Sequence, residues 1–276
     1  MTFSVNVNPS ALAALRNLNK TSDDLEMTQT NINTGLKISS AKDNAAVFSI
    51  AQKLRGDVRG LNAVQQSLDR GISSVDVALA ASNAISDLLL EMKEKAVAAA
   101  DIGLDTTSRS ALSQDFSALR NQISSIINNA EFNGTNLIDG GSDQIVAITN
   151  ADATQTLSVA HENLSLGSSV ITISSTQVIT TSTLASSAVT ALNTSIDNLN
   201  SVLTRLGSGS TALEQNRDFA GKLQDVIETG IGNLVDADMA KESARLQALQ
   251  VKQQLGIQAL SIANQSPQSI LSLFQG

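Results

Sequence analysis

The chain has 276 residues with no Cys, Trp or Tyr, only six Phe, and a formal net charge of −8. The lack of cysteine excludes a disulfide framework and thiolate metal sites, and a core built almost without aromatics favours helix-on-helix packing over a pocketed enzyme. Acids and bases are interspersed, which argues against nucleic acid or an anionic membrane as partner.

The only prolines are Pro9 and Pro267, so nothing between them must break a helix. Asn8 suits an N-cap, with Pro9 at the first helical position, where its missing N–H costs nothing. The start, Met1 to Pro9, shows neither the basic n-region nor the apolar h-region of a cleaved leader. No apolar run reaches the roughly 18 residues of a membrane span, so no membrane insertion is expected. Alternating steps of three and four from Leu15 run through Leu18, Ser22, Leu25, Gln29, Ile32 and Leu36, apolar except at Ser22 and Gln29. That is a coiled-coil seam on a helix expected to end near Gly35.

Ser40-Ala-Lys-Asp43 has the spacing of a capping box and starts a second helix. Its seam is Val47, Ile50, Leu54, Asp57, Leu61, Val64, Leu68, Gly71, Val75, Ala78, Ser82, Ile85, Leu89, Met92 and Ala96, apolar except at Asp57, Gly71 and Ser82. At about 1.5 Å rise per residue such a helix is about 80 Å long. After a polar turn at residues 101–108, Leu112, Phe116, Leu119, Ile123 and Ile126 keep the register on a third helix, expected to return antiparallel on the second. The Asn133-Gly134 pair in Glu131–Leu137 reads as a tight turn with positive φ. Residues 144–149, 156–160 and 170–174 alternate as strands do. Ser and Thr make up more than half of residues 165–187, a texture of exposed surface rather than core.

Helical spacing resumes with Val189, Leu192, Ile196, Leu199, Leu203 and Leu206, then Leu213, Ala220, Leu223, Ile227, Ile231 and Leu234. The glycines of Gly207-Ser-Gly-Ser210 predict a weak point or kink between the two runs. A terminal helix begins near Asp236 and Asp238, acids placed to cap it. One stripe on it is Lys241, Ala244, Ala248, Val251, Leu255, Gln258 and Ile262. Beside it lie Leu246, Leu249, Ile257 and Leu260. Two stripes imply two partners. The fold class is therefore mainly α: a long antiparallel helical rod, coiled-coil-like, with a small β-containing central region and paired N- and C-terminal helices. Polar seam positions Ser22, Gln29 and Gln258 either set register or are merely tolerated.

The run Asn33-Thr-Gly-Leu-Lys-Ile-Ser-Ser-Ala-Lys-Asp-Asn-Ala-Ala46 resembles the signature stretch of bacterial flagellins. So do Gly71-Ile-Ser73, residues 94–97, Phe132-Asn-Gly134, Asp236-Ala-Asp-Met-Ala240 and the ending Ala263-Asn-Gln-Ser-Pro-Gln-Ser-Ile-Leu-Ser-Leu273. The resemblance spans residues 1–139 and 188–276. It implies a structural subunit of the flagellar filament, not an enzyme, without cofactor, that is exported unfolded by the flagellar type III apparatus and ends up extracellular. The implied partners are other copies of itself or other flagellins, the export apparatus and its chaperone, the filament cap and the hook-junction proteins. It further implies an inner helical domain of residues 1–44 with 236–276. The next shell is 45–139 with 188–235, and 140–187 form a surface-exposed β and loop region. The assembly seam would then be Leu15, Leu18, Leu25, Ile32 and Leu36 with Ala244, Ala248, Val251, Leu255, Leu260 and Ile262.

Other features have plainer readings. His161 is the only histidine, so an HExxH zinc site is unavailable and a surface position is expected. Arg55-Gly-Asp57 falls inside a helix rather than the loop that adhesion needs, and Gly56-x-x-x-Gly60 would carry meaning only in a membrane span. Asp236 and Asp238 read as helix caps rather than metal ligands, and Asn163-Leu-Ser165 as a chance triplet. Family members carry O-linked sugars on exposed Ser or Thr of the middle region. Here the candidates are Ser168, Ser169, Thr172, Ser174, Ser175, Thr176, Thr180, Thr181, Ser182 and Thr183, with simple solvation as the alternative. Glu91 puts an acid where flagellins detected by the vertebrate surface receptor have arginine, which works against detection. The alternative functions are a hook–filament junction protein and a secreted helical effector.

Overall fold

The computed structural model describes residues 8–274, with side chains described as far as residue 265. The start of the chain, read above as lacking a leader, lies outside the described residues, as do the side chains of the closing motif from 266 onward. Among the described residues the order is α1 (Pro9–Thr34), α2 (Ala41–Ala99), α3 (Thr106–Asn129), β1 (Glu131–Phe132), β2 (Thr135–Asn136), β3 (Ile145–Ile148), β4 (Thr156–Val159), α4 (Ser182–Val235) and α5 (Met239–Phe274). The mainly α expectation holds.

The helix ends are made by the residues the sequence offers. Asn8 Oδ1 accepts the Ala11 N–H at 3.1 Å, and Gly35, at φ 72°, closes α1 by donating to the Asn31 carbonyl at 2.9 Å. Asp43 Oδ2 accepts the N–H groups of Ser39 and Ser40, each at 2.9 Å. Asn44 is extended, and its Oδ1 accepts the Val47 N–H at 3.1 Å, so regular helix in α2 starts just after it. Asp105 caps α3, and the turn before it is held by Arg109, which donates to the carbonyls of Ala99 and Asp101. Asn133 and Gly134 both take positive φ in the β1–β2 hairpin, as expected for a two-residue turn.

The chain divides into two compact units, residues 57–225 and residues 1–56 with 226–276; α2 and α4 contribute to both. The division expected from the sequence fell at 44/45 and 235/236.

In the 57–225 unit the predicted α2 seam is buried at every position from Leu61 to Ala96, including Gly71 and Ser82. Phe116, Ile123 and Ile127 of α3 join it, and α4 supplies Ala185, Ala188, Leu192, Ser195, Leu199, Val202, Leu206, Leu213 and Ala220. That α4 stripe keeps heptad spacing straight through Gly209, and α4 is one continuous helix. The glycines, expected to leave a weak point or kink, do not interrupt the helix. The glycine is used instead for close approach: a Cβ on Gly209 would lie 3.1 Å from both methyls of Val159. The β3–β4 hairpin, with Ile145 paired to Val159 and Ile148 to Thr156, lies on the helices at such points. At Gly71 an added Cβ would come within 3.0 Å of Ile145 Cγ2, and at Gly60 within 2.8 Å of the Ala151 Cβ.

Two readings of the middle region need correction. Residues 171–174 alternate in burial, with Ile171 and Ile173 inside and Thr172 and Ser174 outside, yet residues 170–174 form no strand. Side chains of α4 take the place of a β partner: Ser195 Oγ accepts the Thr172 N–H, and Asn198 Nδ2 donates to the Ser169 and Val170 carbonyls. The 165–187 segment is also not merely surface, because Val170, Ile171, Ile173, Ile179 and Ala185 are core. A third correction concerns α2, which contains an 18-residue window as apolar as a membrane span by length and composition. Of that window 44% is buried inside the protein, consistent with a core helix.

Candidate assembly surface

The unit made of both chain ends carries the residues singled out as the seam. At its root the two connecting segments clasp each other. Lys37 N–H donates to the Val235 carbonyl at 2.7 Å and Ala237 N–H to the Gly35 carbonyl at 2.8 Å, forming an antiparallel bridge between Leu36 and Asp236. Lys37 Nζ adds a bond to the Asn233 carbonyl at 3.0 Å. Asp238 then starts α5 by accepting the N–H groups of Ala240 and Lys241. Asp236 serves the clasp and Asp238 the cap. Asp43, beside the clasp, is held below the usual carboxylate pKa by the Ser40 and Ser39 N–H groups and hydroxyls.

From this root α1 and α5 run antiparallel against each other. The contact line on α5 is Leu246, Leu249, Gln253, Gly256, Leu260 and Ala263, a heptad stripe. On α1 it comprises Leu18, Ser22, Leu25, Thr28, Asn31 and Ile32. Leu18 packs over Gly256, where an added Cβ would sit 3.2 Å from Leu18 Cδ1. Gln253 Nε2 donates to Ser22 Oγ at 3.4 Å, Asn8 Nδ2 to the Ala263 carbonyl at 2.7 Å, and Arg245 lies 3.9 Å from Asp24. Among the described residues of the pair only Leu249, Thr28 and Asn31 are buried, two of them polar, and one Glu242 oxygen is buried without a partner. This intramolecular seam is thin and polar.

The other apolar stripe faces away. At about 100° per residue, Ala244, Ala248, Val251, Leu255 and Ile262 centre about 140° from the α1-facing line. Val251 is 55% exposed, Leu255 57% and Ile262 70%. On α1, Leu12 and Met27 are likewise uncovered, on the side away from the α5 contact, and Leu15 is exposed at its flank. Of the seam residues named from sequence, Leu18, Leu25, Ile32, Leu36 and Leu260 are half-buried within the unit. Leu15, Ala244, Ala248, Val251, Leu255 and Ile262 are exposed. Of the register candidates Ser22 lies in the internal seam, whereas Gln29 and Gln258 are exposed. The sequence reading missed Thr28, Asn31, Gln253 and Gly256 because polar residues and a glycine interrupt the apolar signal. Their three-and-four spacing was nevertheless there to be read.

Among the described residues no three His, Cys, Asp or Glu side chains are placed to hold a metal, and His161 is exposed. Arg55-Gly-Asp57 is helical, within α2. In the middle region Ser168 accepts from the Val170 and Ile171 N–H groups, Thr172 donates to the Ala191 carbonyl, and Thr181 caps α4 through the Leu184 N–H. Ser174 and Thr176 bond to each other. Ser169, Ser175, Thr180 and Thr183 are exposed, whereas Ser182 is half-buried.

The apolar stripe left uncovered along a terminal helix is the kind of surface that self-assembling structural subunits present. Models of the bacterial flagellin N-terminal and C-terminal helical regions match residues 5–143 and 189–274. Flagellin FljM of Caulobacter vibrioides is 48% identical over 99% of this chain and 98% of its own length. The crystal structure of Bacillus cereus flagellin shares the fold at a TM-score of 0.50 and 23% identity, covering 56% of this chain and 88% of that one. A chain described as a flagellar hook-associated protein from Vibrio parahaemolyticus does so at 0.59 and 13%, covering 70% and 100%. The chain belongs to the bacterial flagellin family. It is a structural subunit of the flagellar filament and not an enzyme.

Proposed function

We propose that this subunit leaves the cell unfolded through the flagellar export apparatus, escorted by a chaperone, and folds its two ends only on joining the extracellular filament. Assembly would take place beneath the filament cap, on hook-junction proteins, and other flagellins could share the polymer. Residues 1–44 and 236–276 form the innermost layer, 45–139 with 188–235 the next, and 140–187 face solvent. The observation that carries this reading is the uncovered α5 stripe, Ala244, Ala248, Val251, Leu255 and Ile262. A helix pair held inside the chain by a thin polar seam is marginal by itself, and neighbours that bury the outer stripe supply the missing stabilisation. Amide hydrogen exchange tests it. Residues 9–34 and 239–265 should exchange freely in the subunit and be protected in the filament; protection already present in the subunit refutes coupled folding.

The same reading places O-linked sugars on hydroxyls that no internal bond occupies, namely Ser169, Ser175, Thr180 and Thr183 among the candidates. Ser168, Thr172 and Thr181 are committed to the fold. Intact mass of native filaments is the test, and a mass equal to that of the bare sequence removes the proposal.

A further inference from the structure

The chain has four methionines and no cysteine, so its thioethers are its only sulfur. Two of them are exposed on the terminal helices, one on the outer side of α1 and one at the edge of the helix pair. Met27 of α1, 54% exposed, is on the side away from α5, with Leu12. Met239, 44% exposed, opens α5 at the heptad position of Leu246, Gln253 and Leu260, at the edge of the α1-facing line, and shares that edge with Ile257, five turns on and 55% exposed. Met92 is the opposite case, fully buried in the α2 seam. Met1 lies outside the described residues.

We infer that Met27 and Met239 are two separate assembly-gated oxidation sites for peroxide: open in the free subunit, shielded in the filament, and able to block assembly once oxidised. In the reaction a lone pair of the thioether sulfur attacks one peroxide oxygen. The O–O bond breaks, sulfur gains an S=O bond and is oxidised by two electrons, and the departing hydroxide takes a proton to become water. The product replaces a flexible apolar side chain with a polar one at positions that the neighbouring copy must bury, and a buried sulfoxide oxygen without a donor opposes docking. Because Met92 sits in the core, the fold of the 57–225 unit is untouched by the same treatment.

The shielding half rests on the assembly reading above; the reactivity half rests only on exposure. Full-length subunits and preformed filaments are treated with dilute hydrogen peroxide, and oxidation at each methionine is followed by peptide mass spectrometry. In subunits Met27 and Met239 should oxidise about tenfold or more faster than Met92, and in filaments they should slow to a comparable degree. Oxidised subunits should lose polymerisation, whereas a Met27→Leu/Met239→Leu protein, treated identically, should keep it. Equal rates in subunit and filament overturn the shielding, whereas the assembly reading stands or falls on the amide exchange of residues 9–34 and 239–265. Normal polymerisation by subunits fully oxidised at both positions overturns the gate while leaving that reading intact.

Discussion

Gly60→Ala should destabilise the protein even though alanine is the better helix former, because the space its side chain needs is already taken. An ideal Cβ at residue 60 would lie 2.8 Å from the Ala151 Cβ, 3.0 Å from its carbonyl oxygen and 3.1 Å from its Cα. None of these is the end of a flexible chain, so the loop joining β3 to β4 must lift from α2. Overpacking of this kind costs about 1–3 kcal/mol, against a gain of about 1 kcal/mol in helix propensity, leaving roughly 0–2 kcal/mol of net loss. Gly207, also helical and in the same compact unit, has nothing within 4 Å of the corresponding position. There the same substitution keeps the whole gain of about 1 kcal/mol. At about 2–4 °C per kcal/mol for a domain of 150–250 residues, the two variants should melt at least a few degrees apart, Gly207→Ala the higher. Circular dichroism melts of unassembled protein measure this. If Gly60→Ala melts as high as Gly207→Ala, the seating of the hairpin on α2 is wrong.

Leu255→Asp changes a side chain that touches little inside the subunit, so it should abolish filament growth while leaving the subunit melt within about 1 °C of the parent. Leu25→Asp, on the internal seam, should also block growth; sedimentation of polymer distinguishes normal from failed assembly for both. Asp43 and Asp105 both have folded pKa values lowered from 3.8, chiefly by hydrogen bonds from Ser40 and Ser39 and from Ser108. Their contribution is complete above that value and is lost as pH falls through the lowered one. Acid unfolding should therefore shift to higher pH in Asp43→Asn and Asp105→Asn, and an unchanged acid midpoint would count against these caps. Ser82 is fully buried with a hydroxyl that has no partner, so Ser82→Ala should be neutral or stabilise by up to about 1–3 kcal/mol, read by denaturant midpoint.

The 57–225 core was legible because its signal is repetition. A seam counted in threes and fours from Leu61 to Ala96 needs no knowledge of what it faces, since any helix packed along it buries the same positions. The glycines were misread for the converse reason. Gly207 and Gly209 look alike locally, and only the distant Val159 shows that one is a contact point and the other open. Residues 170–174 failed similarly: their alternation correctly marks Ile171 and Ile173 as inside, but period two does not say whether a strand or side chains such as Ser195 and Asn198 will satisfy the backbone. At the terminal pair the stronger apolar stripe was visible, yet sequence alone does not say which of two stripes faces the partner within the chain.

That allocation has a physical consequence. If the apolar stripe of α5 faced α1, the subunit would satisfy itself and gain little from neighbours. With Thr28, Asn31, Gln253 and Gly256 on the inner line, the internal pair aligns the two ends but holds them weakly. The outer line keeps its capacity in reserve. Fully burying a Val, Leu or Ile is worth about 1.5–3 kcal/mol, so the remaining half-exposure of Leu12, Val251, Leu255 and Ile262 amounts to roughly 1 kcal/mol each. A total of several kcal/mol is comparable to the margin by which a domain is stable at all, enough to fold two marginal helices when a neighbour arrives and too little to hold them beforehand. Two separated ends of one chain can thus behave as a single element whose folding reports the presence of the next copy.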